Sequence, residues 1–291
     1  MRDFGGDRRK LWSLRSVSVL VLCALWLSAC SAPTRKIEQY AKGQGFQTDV
    51  ISGSTFQHRV YRGHAGSLHG GTLHVYIEGD GSPFLEPTIV TPDPTPRDPL
   101  MLRLMSLDPA PSVYLGRPCY FDLHGDESCN ASYWTVRRFS PEVVDSLTAA
   151  LVSEAARAQA TSLEIFGHSG GATLAVLLSE RVNAVTRVVT IGANLDINAW
   201  TDLHGYSPLT GSLNPTDIRW RSSPPRMLHL VGSKDSNTPP ALVEAAAARA
   251  GGGVVRVIEG YTHNCCWEQI WPAILDESLN ENLETPQSAT H

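Results

Sequence analysis

Short, apolar, β-branched runs alternate along the chain with helix-rich stretches, and this alternation narrows the possible folds more than any other feature. The runs are Leu73–Glu78, Ser112–Leu115, Leu163–Phe166, Val185–Ile191, Met227–Val231 and Val254–Ile258. They are bounded by Gly or Pro, as buried parallel strands are. Between them lie Pro141–Arg157, Gly170–Val182, Pro239–Ala250 and Cys266–Leu279, whose Ala, Leu and Glu content suits helices. Strand and helix in this order imply right-handed crossovers and a mostly parallel sheet, hence an α/β fold. Residues 46–62 are expected to add an antiparallel pair at one edge, and the proline-rich stretch Pro83–Pro99 reads as a loop. With 42% hydrophobic residues, wholesale disorder, collagen and coiled coil are excluded. A formal charge of −5 leaves no basic surplus for binding nucleic-acid phosphates.

Residues 1–29 read as an address rather than as fold. Arg2, Arg8, Arg9, Lys10 and Arg15 precede the apolar run Val17–Leu27, which is too short to span a bilayer. The run ends at Leu27-Ser28-Ala29-Cys30, which resembles the lipobox of bacterial lipoproteins. That resemblance implies cleavage before Cys30, its acylation, and anchoring in a membrane. By the same resemblance, Ser31 in place of Asp after the cysteine implies the outer membrane of a Gram-negative cell over the inner one. Residues 30–45 would be a tether, 46–280 the folded domain and 281–291 a polar tail. Cleavage removes five basic and two acidic residues, so the charge moves from −5 to −8.

Cys119, Cys129, Cys265 and Cys266 then remain, and four cysteines allow three pairings. An oxidising compartment favours disulfides over metal ligation, and these spacings match no zinc motif. A local Cys119–Cys129 bridge is the favoured reading, with Cys265 and Cys266 open between a vicinal bond and cross-pairing. No metal and no organic cofactor is expected. His64, His69 and His74 are spaced five apart, which suits no helical metal site, and read as scattered histidines.

The strand Leu163–Phe166 runs directly into Gly167-His168-Ser169-Gly170-Gly171 and then into a helical pattern. This is G-x-S-x-G in the strand-to-helix setting that a nucleophile elbow requires. A serine needs a base, and the base an orienting carboxylate. Asp235 follows Met227–Val231 and His263 follows Val254–Ile258, each in the loop beyond the strand's carboxyl end. Ser169, Asp235 and His263 thus occupy three strand ends in the order acid then histidine. Asp196 competes for the acid from the loop after Val185–Ile191, and Asp235 is preferred by its usual position. The oxyanion hole would use the amide of Gly170 and, as a resemblance of the loop Glu78–Gly81 to that of α/β-hydrolases implies, the amide of Asp80. Glu78 and Asp80 in that loop are acidic, and would repel an oxyanion unless paired or turned away. His168 is assigned no role, and Trp267 and Trp271 read as a packing stripe on the last helix.

On these residues the chain resembles the α/β-hydrolase superfamily from about residue 46 to 280. The segments Tyr76–Gly81, Gly116–Cys119, Asn194–Asp196 and His263–Trp267 are similar to motifs of a group of bacterial hydrolase-like proteins. The resemblance implies an eight-stranded, mostly parallel sheet with helices on both faces and a serine nucleophile working through an acyl-enzyme. The stretch between Asp196 and Pro225 leaves room for a small cap or none, which favours modest ester substrates. The expected partners are a small-molecule ester and the membrane. The alternatives are a non-catalytic envelope lipoprotein with a binding role, and a peptidase or amidase.

Overall fold

The computed structural model describes residues 33–63, 71–86, 88–220 and 224–283. Its centre is an eight-stranded sheet: β1 (Gln47–Ser52), β2 (Gln57–Gly63), β3 (Thr72–Ile77), β6 (Ser112–Leu115), β7 (Ser162–His168), β8 (Val185–Ile191), β9 (Arg226–Gly232) and β10 (Val254–Ile258). The order across the sheet is β1-β2-β6-β3-β7-β8-β9-β10. From β6 to β10 every pairing is parallel, while β1–β2 and β2–β6 are antiparallel. The expected architecture and the antiparallel edge are therefore both present. Burial explains the apolar runs. β7 is buried from Leu163 to His168 and β6 throughout, because helices cover both faces; β10, at the edge, leaves Val254 and Val257 exposed.

The covering helices are α1 (Pro33–Gly43), α2 (Leu100–Ser106), α3 (Pro141–Ala158), α4 (Gly170–Arg181), α5 (Ile197–His204), α6 (Pro240–Ala247) and α7 (Trp271–Leu283). Residues 33–43, expected as tether, form a helix whose Ile37 and Ala41 enter the core. The last helix starts at Trp271 rather than Cys266, because residues 267–269 turn as a 3₁₀ segment and Pro272 suits a first helical turn. Within Pro83–Pro99 a small hairpin forms from β4 (Phe84–Glu86) and β5 (Ile89–Val90). No helix among the described residues is long and apolar enough to cross a membrane. Residues 1–29, Cys30, His64, His69 and the end of the tail from 284 lie outside the described residues.

After β3 the chain moves outward to β6 on one side, then returns to β7 on the other. The crevice at this reversal, beyond the carboxyl ends of β3 and β7, is where α/β sheets bind ligands.

Candidate active site

Ser169 sits between β7 and α4 with φ 51° and ψ −120°, a left-handed backbone that non-glycine residues rarely adopt. The surrounding backbone enforces the turn. A Cβ on Gly167 would lie 2.5 Å from the Gly171 carbonyl oxygen, and one on Gly171 would lie 2.3 Å from that of Ile77. The Ser169 N–H is tied to the Ile191 carbonyl at 2.9 Å, while its side-chain hydroxyl makes no hydrogen bond among the described residues. It faces a cavity of about 1130 Å³ that His263, Asn237 and the Gly79–Gly81 loop also line.

Asp235, after β9, is 3% exposed and fully engaged. Oδ1 accepts from the amides of Asn237 at 2.9 Å and Thr238 at 2.8 Å; Oδ2 accepts from Thr238 Oγ1 at 3.0 Å and lies 2.8 Å from His263 Nδ1. Burial works against its ionisation, but the bond to His263 and the Thr238 donors hold its pKa below the ordinary carboxylate value. An ionised Asp235 fixes the His263 proton on Nδ1 and leaves Nε2 as the acceptor. Burial pushes the His263 pKa down, so the ring is a neutral base near pH 7. Its backbone carbonyl is clamped by His168 Nε2 at 3.0 Å and Trp267 Nε1 at 3.2 Å. Gly192, at φ +53°, lets the pair approach: a Cβ there would lie 2.8 Å from His263 Nδ1.

Asp196 is elsewhere. Its Oδ1 caps α5 through the Asn198 and Ala199 amides and accepts from Asn214 Nδ2, while Oδ2 pairs with Arg249 at 2.7 Å. Of the two candidate acids, only Asp235 touches His263.

The two acidic residues of the loop after β3 both have partners. Asp80 accepts from Arg117 Nη1 and from Arg138 Nη1, each at 2.5 Å. Burial raises its pKa, yet the Arg138 and Arg117 guanidiniums outweigh this and lower it to about 2. Glu78 is held by backbone donors: Oε2 accepts the Met101 amide at 2.9 Å at the start of α2, and Oε1 accepts the Gly79 amide at 3.2 Å. The backbone amides of Gly170 and Asp80 donate to no group among the described residues. Gly170 must lack a side chain, because a Cβ would meet Asp80 Oδ1 at 2.1 Å.

Sequence reasoning missed four participants: Arg117, Arg138, Asn237 and His168. His168 links Glu78, 3.5 Å from its Nδ1, to the His263 carbonyl. Trp267 and Trp271 are both fully buried, as a packing stripe should be, but they precede or open α7 rather than sharing it. Cys119 and Cys129 are bridged, and Cys265 is bonded to Cys266. His74 is buried within β3 and paired with Asp108 at 2.6 Å. Asp93, Asp122 and His124 bring potential ligand atoms within 4.8 Å of one another; all three are partly solvent-exposed, as acidic groups without an ion commonly are.

No family model and no curated protein sequence matches the chain. Solved structures do. A bacterial membrane phospholipase A described as a virulence factor aligns with TM-score 0.56 and 16% identity, over 94% of this chain and all of that one. An esterase from Pyrococcus furiosus aligns with TM-score 0.54 and 11% identity, over 84% and 92% of the two chains. A proline iminopeptidase from Mycobacterium smegmatis aligns with TM-score 0.57 and 10% identity, over 81% and 99%. At these identities the likeness is one of fold, and by strand order, elbow and structural neighbours the chain has the α/β-hydrolase fold.

Proposed function

We propose that the protein is a serine hydrolase of carboxylic esters, with Ser169 as nucleophile, His263 as base and Asp235 as its orienting acid. The observation that carries this reading is the 2.8 Å Asp235–His263 pair opening on the same cavity as the strained Ser169. The Ser169 hydroxyl gives its proton to His263 Nε2 as Oγ attacks the ester carbonyl. The oxyanion is held by the amides of Gly170 and Asp80, and the alcohol leaves with the proton from the imidazolium. Water, deprotonated by the same histidine, then releases the acid.

An ester with an apolar acyl part suits the cavity rim. Phe84 and Val90 line it, and the hairpin they belong to leaves Phe84, Leu85, Ile89 and Val90 between 39% and 55% exposed. The structural neighbours, a phospholipase, an esterase and a peptidase, support hydrolysis on this fold. The pairing of Asp80 with two arginines and of Glu78 with two backbone amides supports catalysis over a non-catalytic role, since both acidic side chains of the loop have partners.

A fluorophosphonate probe is expected to phosphonylate Ser169 of the folded protein with loss of fluoride, and the untreated protein is expected to cleave short acyl esters faster than matched amides. A folded protein left unlabelled overturns the reading. We further propose export and anchoring through Cys30 to the outer membrane, on the strength of Leu27–Cys30 and of bridged cysteines that fit an oxidising compartment. Radiolabelled palmitate is expected to be incorporated by the wild type and not by Cys30→Ser. Equal incorporation by both rejects the anchor.

A further inference from the structure

The atom that the proposed base must present to Ser169 is already engaged. With Nδ1 of His263 protonated and held by Asp235, Nε2 carries the ring's lone pair. Asn237 Nδ2 stands 3.1 Å from it and donates to it. Asp235 has its own donors without this amide, so the contact adds nothing to the acid. The Asn237 backbone, by contrast, is fixed on both sides. Its N–H donates to Asp235 Oδ1, and its carbonyl accepts from Trp200 Nε1 at 3.1 Å and from His204 Nε2 at 2.8 Å. Trp200 and His204 belong to α5 and line the cavity.

We propose that Asn237 is a positioning residue for the base: its amide occupies the Nε2 lone pair of His263 until the Ser169 hydroxyl takes that place, and α5 sets the amide's position through the two hydrogen bonds to its carbonyl. The proposal rests on the reading of His263 as the base. The exchange replaces one hydrogen bond by another. The amide N–H withdraws, the Ser169 O–H donates to the same lone pair, and the proton crosses to Nε2 as Oγ attacks.

A donor on the lone pair stabilises the neutral ring and opposes its protonation. The other groups facing His263 are Asp235 from the loop after β9, Asp80 from the loop after β3, and His168 from the elbow, whose ring centroid is 4.8 Å away. Glu78 stands behind His168, and His204 behind Asn237. Asp235 and Asp80 favour the charged ring, while burial and His168 oppose it. Removing the amide takes away one opposing contribution, so protonation must become easier.

The test is an NMR titration of the His263 ring in the full-length chain, run beside the pH profile of kcat/KM. Asn237→Ala is expected to move both upward by roughly half to one pH unit, the size of one neutral hydrogen bond. Asn237→Asp, which sets a carboxylate against Nε2, is expected to move them further in the same direction. Asn237→Ser, expected to shift in the same sense as Asn237→Ala, serves if that variant does not fold. His204→Phe, which removes one of the two donors to the Asn237 carbonyl, is expected to give a smaller upward shift. A His263 titration that coincides with the wild type in the Ala or Ser variant overturns the proposal, and one that coincides in His204→Phe overturns its α5 part. Ser169→Ala separates the two levels of the reading. Turnover that survives it overturns the serine mechanism, whereas turnover lost there, with His263 unmoved in Asn237→Ala, overturns only the role of Asn237.

Discussion

Ser169→Ala is expected to lower kcat on a carboxylic ester by about 10⁶-fold and Asp235→Asn by about 10⁴-fold, with Asp196→Asn within about threefold of the wild type. The first figure follows from removing the nucleophile while the oxyanion amides and binding surface remain. The second follows from the tautomer. Asp235 Oδ2 holds the His263 proton on Nδ1, and an amide there lets the ring turn its protonated nitrogen to the serine. Asp196 makes no such contact. Its Oδ1 caps α5, a task that Asn performs as well. The replacement weakens one ion pair to Arg249, whose side chain is 61% exposed, so that bond is worth little. Steady-state kinetics on the three variants, with circular dichroism to confirm folding, decide the matter. Near-normal turnover in Asp235→Asn removes it from the proposed triad, and a loss of thousands in a folded Asp196→Asn moves the acid to the earlier strand.

Legibility in the sequence follows what each element buries. β6 and β8 agree to the residue with the apolar runs, and the central β7 is only longer, because covered parallel strands are written as continuous β-branched segments; the edge strand β10 agrees too, through its β-branched content rather than its burial. The hairpin of β4 and β5 escapes that signal because Phe84, Leu85, Ile89 and Val90 are all exposed, so its apolar residues do not alternate with a buried face. α2 and α5 are only 7 and 8 residues long, and are held by packing and by the Asp196 cap rather than by propensity. At the site, Ser169, Asp235 and His263 were legible because each stands at a strand end. Arg117 and Arg138 were not. They reach Asp80 from 37 and 58 residues away through loops, and no spacing rule encodes such a meeting. Asn237, two residues beyond Asp235, looks like turn chemistry in the sequence; only the return of β10 brings His263 Nε2 to its amide.

The arginine pair on Asp80 makes the loop a source of stability as well as a wall of the cavity. Arg117 is 1% exposed, lies over the rings of Tyr120 and Phe139 at 5.2 and 5.6 Å, and spends its charge on Asp80. Since the folded pKa of Asp80 is about 2 and the unfolded value is 3.8, its contribution is fully present above pH 3.8 and is lost as pH falls towards 2. That difference corresponds to about 2 kcal/mol. Arg117→Met keeps most of the packing and strands part of the carboxylate's charge, so it is expected to cost about 3 kcal/mol at pH 7. It is also expected to raise the Asp80 pKa, flattening the acid limb of stability between pH 4 and 2. Turnover should fall with it, because an under-compensated carboxylate beside Gly170 disfavours an oxyanion there. Urea unfolding at pH 7 and pH 3 measures both effects. A folded Arg117→Met protein with the wild-type midpoint at each pH contradicts the pairing. The double variant Asp80→Asn/Arg117→Met then isolates the charge from the packing. If the cost lies in an unpaired buried carboxylate, neutralising Asp80 in the Arg117→Met background should restore part of the lost stability. Asp80→Asn alone should destabilise, because it leaves Arg117 and Arg138 without their anion.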